Sequence, residues 1–142
     1  MNTLVDTSVW SFALRRKPAD LSEAEMAVVT ELSELAKEGR VRIIGPVRQE
    51  LLSGIKTEAQ YEKLRVVLQD FPDEPLQTRD YESAAKASND CRTKGVVVSA
   101  VDVLICATAL ARDWNIYTTD PNFRNYAKIL PIRLHKPRNL EK

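Results

Sequence analysis

Short apolar runs alternate with stretches in which apolar residues recur every three to four positions. That alternation predicts an α/β chain built around a parallel sheet. Thr3-Leu4-Val5 reads as a first strand ending at Asp6. A short helix follows, carrying Val9, Trp10, Ala13 and Leu14 and closed by Arg15-Arg16-Lys17 and Pro18. Ser22 and Glu25 have capping-box spacing, and Ala24, Val28, Leu32 and Leu35 keep helical period behind them up to a stop at Gly39. Val41 to Ile44 predicts the second strand. Gly45-Pro46 then opens a helix through Glu50, Leu51 and Leu52 to Gly54. Thr57 and Gln60 form a second capping-box pair ahead of the stripe Tyr61, Leu64, Val67, Leu68 and Phe71.

The second half repeats the alternation. Pro72 to Thr78 predicts a turn with a very short strand at Leu76. Tyr81, Ala84, Ala85, Ser88 and Cys91 read as one helical face, ended by Gly95. Val96-Val97-Val98 suits either a strand or an apolar approach to the next helix. Ser99 predicts the N-cap of a helix running to about Trp114, followed by a strand at Ile116-Tyr117-Thr118. Asp120-Pro121 opens a short helix through Tyr126, and Ile132-Arg133-Leu134 predicts a last strand. The polar tail from about residue 135 is expected to fray. No repeat or linker-like stretch divides the chain, so residues 1–142 are expected to form a single domain.

Composition changes this picture little. The balance of 44% hydrophobic and 29% charged residues is that of an ordinary globular chain, long enough to bury a core without disulfides or a structural metal. A net charge of +1 gives no global field for nucleic acid, so any such contact needs a local basic patch. Cys91 and Cys106 lie in helical segments without CxxC spacing, which predicts free thiols in a reducing compartment. His135 is the one histidine, which argues against Ser/His or Cys/His nucleophilic catalysis. No apolar run approaches the ~20 residues of a membrane span, and residues 1–6 lack the form of a signal peptide. A cytoplasmic protein is expected.

Four carboxylates stand out by position. Asp6 follows the first strand, Glu50 lies about a turn into the helix after the second, Asp102 lies in the first turn of its helix, and Asp120 follows the Ile116–Thr118 strand. Open parallel sheets bind ligands beyond the carboxyl ends of their strands, where strand order reverses. Adjacent strand ends are ~4.8 Å apart, close enough for side chains to converge on one ion. Two bare carboxylates about 4 Å apart repel by ~4 kcal/mol at an effective dielectric of about 20. A hard divalent cation turns that repulsion into a binding site; Mg²⁺ takes oxygen ligands, and such ions activate water and offset phosphodiester charge. Each acid also has a purely structural reading. Asp6 and Asp120 suit N-caps, Ser99 and Asp102 have capping-box spacing, and Glu50 suits a solvated helix face. Spacing leaves both readings open.

Leu4-Val5-Asp6-Thr7-Ser8-Val9-Trp10 resembles the opening of PIN-domain proteins, and Pro46-Val47-Arg48-Gln49-Glu50-Leu51 resembles their second acidic position. Asp102-Val103-Leu104-Ile105-Cys106-Ala107-Thr108-Ala109 resembles their Asp-x-Leu-Ile-Ala-Ala helix. Thr118-Thr119-Asp120-Pro121-Asn122-Phe123 resembles their Thr-x-Asp-x-x-Phe segment. The matches stand in order from residue 3 to about residue 134. The resemblance implies a three-layer α/β/α sandwich around a central parallel sheet of about five strands. It implies that Asp6, Glu50, Asp102 and Asp120 form an acidic quartet that hydrolyses RNA phosphodiesters. Asp6, Asp102 and Asp120 are its expected ligands to Mg²⁺ or Mn²⁺, with Glu50 acting directly or through water. Thr7, Ser8 and Thr118 offer hydroxyls either to orient the acids or simply to cap helices and bond turns, and Asn122 is a candidate to share the role of Asp120.

The short chain, with its motif starting near Met1, is similar to VapC-type toxins. That implies a homodimer held inactive by an antitoxin, with Trp10, Phe12 and Leu14 as candidates for the contact; helical spacing favours plain core for Trp10 and Leu14, while Phe12 lies on a different face. Arg15, Arg16, Lys17, Arg48 and Arg124 are candidate RNA contacts, with Arg112 and Lys94 behind them; phosphate contacts of this kind are salt-dependent. The competing class is a non-catalytic PIN-like module that binds RNA or a partner. Phosphatase and dinucleotide-binding readings fail, because Ser8 stands where the former need a second Asp and Asp6-Thr7-Ser8 is no Gly-rich turn.

Overall fold

A computed structural model describes residues 1–138 of the chain. Its elements run β1 (Thr3–Val5), α1 (Thr7–Leu14), α2 (Glu23–Lys37), β2 (Val41–Arg42), α3 (Gly45–Leu52), α4 (Glu58–Leu68), α5 (Thr78–Thr93), α6 (Ala100–Arg112), β3 (Asn115–Tyr117) and α7 (Asn122–Ala127), with a 3₁₀ turn at Pro18–Asp20. The strands form a parallel sheet in the order β2-β1-β3. Thr3 pairs with both Val41 and Asn115, and Val5 pairs with Tyr117. Helices pack around the sheet, α6 on β1 and β3 and α2 on β2. One apolar cluster runs from Leu4 to Ile132. No described helix is long and apolar enough to cross a membrane.

Local chemistry explains most of the helix ends. Ser22 and Glu25 close a reciprocal capping box on α2. Pro46 sits in the first turn of α3, where its missing N–H costs nothing. Thr57 caps α4 through the Gln60 N–H, but the Gln60 side chain makes no return bond among the described residues, so only half of the expected box forms.

The expected five-strand sheet is reduced to three strands among the described residues. The outer two positions survive as single parallel bridges, Ile43 with Asp73 and Ile116 with Leu134. Pro72 and Pro75 flank Asp73, and Pro131 and Pro137 flank Leu134. Proline cannot donate to a ladder, so neither edge extends. The bridge falls at Asp73, not at the expected Leu76. Val96–Val98 is not a strand: the Val96 N–H bonds the Cys91 carbonyl in the turn after Gly95 (φ +82°), and Val97 is 78% exposed.

Two faces differ from the sequence expectation. On α5 the buried residues are Asp80, Ala84, Ala87 and Cys91, whereas Tyr81 and Ala85 are exposed. On α4 only Leu64 and Leu68 are buried, and Tyr61 and Val67 face outward. The tail also departs from expectation through residue 138. Glu31 of α2, 2% exposed, takes bonds from His135 at 2.7 Å and from Arg138 at 3.0 Å, so this stretch is tied down. The remaining expected fraying, at 139–142, lies outside the described residues.

Candidate functional site

Strand order reverses at β1, which has β2 on one side and β3 on the other. The crevice of such a sheet lies beyond the carboxyl ends of the strands at that reversal. Asp6 is the residue just beyond β1, and its N–H extends the ladder to the Tyr117 carbonyl at 2.9 Å. Because Val5 pairs with Tyr117, Asp6 and Thr118 emerge side by side. The Thr118 hydroxyl donates to Asp6 Oδ2 at 2.7 Å and accepts the Asp120 N–H at 3.0 Å. One hydroxyl therefore links the first acid to the segment that carries the fourth.

Asp6 is only 4% exposed. Its Oδ2 also takes the Ser8 hydroxyl at 2.7 Å and, more weakly, the Ser8 N–H at 3.4 Å. The capping reading of Asp6 therefore holds, yet it uses only one oxygen. Next in the chain, Thr7 donates its hydroxyl to Glu50 Oε1 at 2.6 Å across 43 residues of sequence. Glu50 itself is exposed, at the margin of the group. A shallow depression lined by Thr7, Pro46, Gln49, Glu50, Ser53 and Val101 opens beside it. A larger one surrounds Asp80 and Arg112, away from these acids.

Asp102 is half-buried in the first turn of α6. Ser99 caps the helix by accepting the Asp102 N–H at 3.1 Å, but the Asp102 carboxylate does not return the bond to Ser99. It accepts instead from the Tyr126 hydroxyl, 3.0 Å from Oδ2. Burial first, and then the negative charges of Asp6 and Asp120, push its carboxyl up to about 6; the Tyr126 and Ser99 hydroxyls offset only part of this. Asp6 and Asp120 therefore lie near enough to Asp102 to disfavour its charged form. Asp120 accepts the Asn122 N–H on Oδ1 at 2.9 Å and so starts α7, as its capping reading expected. The Asn122 residue is exposed.

In each of the four acids, one oxygen takes hydrogen bonds from the protein while the other takes none from a described residue. No cation pairs with any of them among the described residues. The donor set is all oxygen, which fits a hard divalent ion. As the side chains stand, no three acidic, histidine or cysteine groups among the described residues enclose an ion-sized space. The acids share one end of the sheet without forming a closed cage.

The cationic candidates divide. Arg48 is held within the fold by Asp73 at 2.9 Å and by the carbonyls of Leu68 and Phe71. Arg112 is held by Asp80 and Glu74. Arg16 pairs with Glu25 and lies over the Phe12 ring. Arg15, Lys17 and Arg124 are exposed and form no ion pair among the described residues; Lys94 is exposed at the end of α5. Trp10 is core, edge-on to Phe71, whereas Phe12 and Leu14 are half-buried. Sequence reasoning missed Tyr126. Its place in the Asp120-to-Tyr126 helix was legible, but nothing in the spacing paired it with Asp102.

A family model described as the PIN domain matches residues 3–129. No curated protein sequence matches the chain significantly. Among solved structures, the chain is similar to one in FitAcB from Neisseria gonorrhoeae, with 23% identity, TM-score 0.73, and coverage of 95% of this chain and 97% of that one. It is similar to a chain of VapBC2 from Rickettsia felis bound to a promoter DNA fragment, with 18% identity, TM-score 0.74, and coverage of 95% and 98%. A chain of DNA-bound VapBC from Salmonella typhimurium gives 19% identity, TM-score 0.71, and coverage of 95% and 97%. At these identities the likeness establishes the fold.

Proposed function

The chain belongs to the PIN-domain family, and from that premise we propose that it is a metal-dependent endoribonuclease, the toxin half of a VapC-type toxin–antitoxin pair. The observation that carries this reading is the set of carboxylates at the reversal point of the sheet, each with one oxygen that takes no donor among the described residues. Elsewhere in the molecule buried acids have cations. Here, among the described residues, compensation comes from hydroxyls and backbone alone, which leaves room for a cation from solution.

Asp6, Asp102 and Asp120 are the residues to hold Mg²⁺ or Mn²⁺. When bound, such an ion supplies Lewis-acid chemistry at a phosphodiester and lowers the pKa of a coordinated water. Ser8 and Thr118 fix Asp6, so its orientation is set before any ligand arrives. Thr7 holds Oε1 of the exposed Glu50, and Oε2, without a donor among the described residues, is the proton acceptor for the attacking water in this reading. Asn122 supports Asp120 through its backbone N–H. Arg15, Lys17 and Arg124, with Arg16 beyond its pair with Glu25, supply the phosphate contacts that guide RNA.

The likeness to chains found in FitAcB and VapBC assemblies supports an antitoxin partner; the homodimer and the cytoplasmic setting belong to the proposal and rest on the VapC-type reading alone. With Trp10 committed to the core, Phe12 and Leu14 are the residues of α1 left to meet an antitoxin.

The deciding experiment is cleavage of total cellular RNA by the pure protein, freed of any antitoxin, in Mg²⁺, Mn²⁺ or EDTA, alongside Asp6→Asn. Metal-dependent cuts that vanish in EDTA and in the folded variant are expected. No cutting of any RNA by the wild type would identify a silent PIN-like binding module instead.

A further inference from the structure

Asp102 has a partner to which no acidic motif points. Tyr126, on α7, is 3% exposed and donates its hydroxyl to Asp102 Oδ2 at 3.0 Å. Its ring stands edge-on to Phe123, with centroids 5.1 Å apart at 69°, and Phe123 is fully buried. The phenol is therefore held by packing on one side and by the carboxylate on the other. The opposite end of the same segment is fixed by Asp120, which accepts the Asn122 N–H and donates its own N–H to Thr118. The helix thus brackets two acids: it begins on one and grips the other near its end.

This grip answers a physical difficulty. The terminal torsion of an aspartate is broad, so its carboxylate swings easily. Apart from the Tyr126 hydroxyl, no hydrogen bond among the described residues fixes which way this carboxylate faces. A bond to Oδ2 removes that freedom and leaves Oδ1 as the oxygen open to a ligand.

We propose that Tyr126 is a positioning residue for the Asp102 carboxylate, so that α7 sets the affinity of the site for a divalent ion without lending it a ligand from this position. The inference rests on the metal-nuclease reading above. Partners that orient a metal-holding side chain typically change metal affinity or activity by ~10–100-fold when removed.

The test compares full-length wild type with Tyr126→Phe, free of antitoxin, by titration calorimetry with Mn²⁺ and by cleavage across a range of Mn²⁺ concentrations. The substitution keeps the ring against Phe123 and deletes only the hydroxyl. Mn²⁺ affinity is expected to fall ~10-fold, with the unfolding midpoint in EDTA close to wild type and cleavage restored at saturating Mn²⁺. Equal Mn²⁺ affinity in the two proteins would overturn the proposal. So would a loss of cleavage that saturating Mn²⁺ does not restore, because the phenol would then act at the reacting atoms. Absence of Mn²⁺ binding by the wild type is a separate result: it would sink the metal-nuclease reading itself, and the role of Tyr126 with it.

Discussion

The two ends of α6 treat acids in opposite ways. At the C-terminal end, Arg112 clamps Asp80, which is 2% exposed, with Nη1 and Nη2 at 2.9 and 3.1 Å, and also bonds Glu74. The Arg112 bonds, with the Gln77 N–H, hold the Asp80 carboxyl down at about 2. At the N-terminal end, Asp102 has no cation among the described residues and is pushed up to about 6 by burial and by Asp6 and Asp120. Both positions suit the helix dipole, with Asp102 in the first turn and Arg112 in the last. The dipole therefore does not explain the difference; the neighbours do. An acid that serves the fold is given a countercharge. An acid left among its own kind at the reversal point of the sheet is what the proposed metal site would use, with the countercharge coming from solution.

The sharpest way to break this comparison is Arg112→Met. Removing one partner of a buried pair strands the other, and the expected cost is about 3–5 kcal/mol in urea unfolding at neutral pH. Asp80 has a folded pKa near 2, below its unfolded value of about 3.9. Its contribution is present above about pH 4 and lost as pH falls toward 2. The variant should lack that acid-side loss. A cost under about 1 kcal/mol would mean that Asp80 is no more satisfied than Asp102.

Asp102→Asn should go the other way. Its folded pKa, about 6, lies above the unfolded value of about 3.9, so the folded chain holds the extra proton between them. Stability from this group is therefore greatest below about pH 4 and falls as pH rises through 6. In EDTA at pH 8 the variant should gain about 1 kcal/mol, a figure discounted for solvent screening and for the weakened Tyr126 bond. At pH 4 the gain should vanish. Metal-free unfolding at the two pH values checks both, and a loss of stability at pH 8 would remove the frustration on which the comparison rests.

The smallest effect sharpens a third case. Glu31 is buried, which by itself would raise its carboxyl, but its bonds to His135 and Arg138 outweigh burial and lower it. Arg138 is half-exposed, so Arg138→Ala should cost about 0.5–1 kcal/mol, with His135 still on Glu31. Urea unfolding at pH 7 measures it. No change would leave Asp80 as the single acid whose cation demonstrably matters.

Much of the site was legible because its carriers are local. Asp6 and Asp120 announce themselves as the residues that end strands and start helices, and the structure keeps them there. Ser22 and Ser99 cap the helices expected of them. The errors share one cause. On α5, Ala85 and Ala84 offer the same apolar signal one position apart, and the face that turns inward is the one carrying Ala84, Ala87, Cys91 and the Asp80 that meets Arg112. The tail after residue 135 reads as polar and loose until a buried Glu31 is found beneath it.

The chain by itself determined the order of strands and helices, most helix ends and the acids at the strand ends. Periodicity, caps and turns act within a few residues, and those are fully written in the sequence. Only the tertiary structure decided how far the sheet extends and what each charged group faces. Arg112 reaches Asp80 across 32 residues, Tyr126 reaches Asp102 across 24, and His135 reaches Glu31 across 104. Those partners lie on segments that only packing brings together, just as parallel pairing sets Thr3 beside both Val41 and Asn115, and linear spacing carries no record of which distant segments will meet.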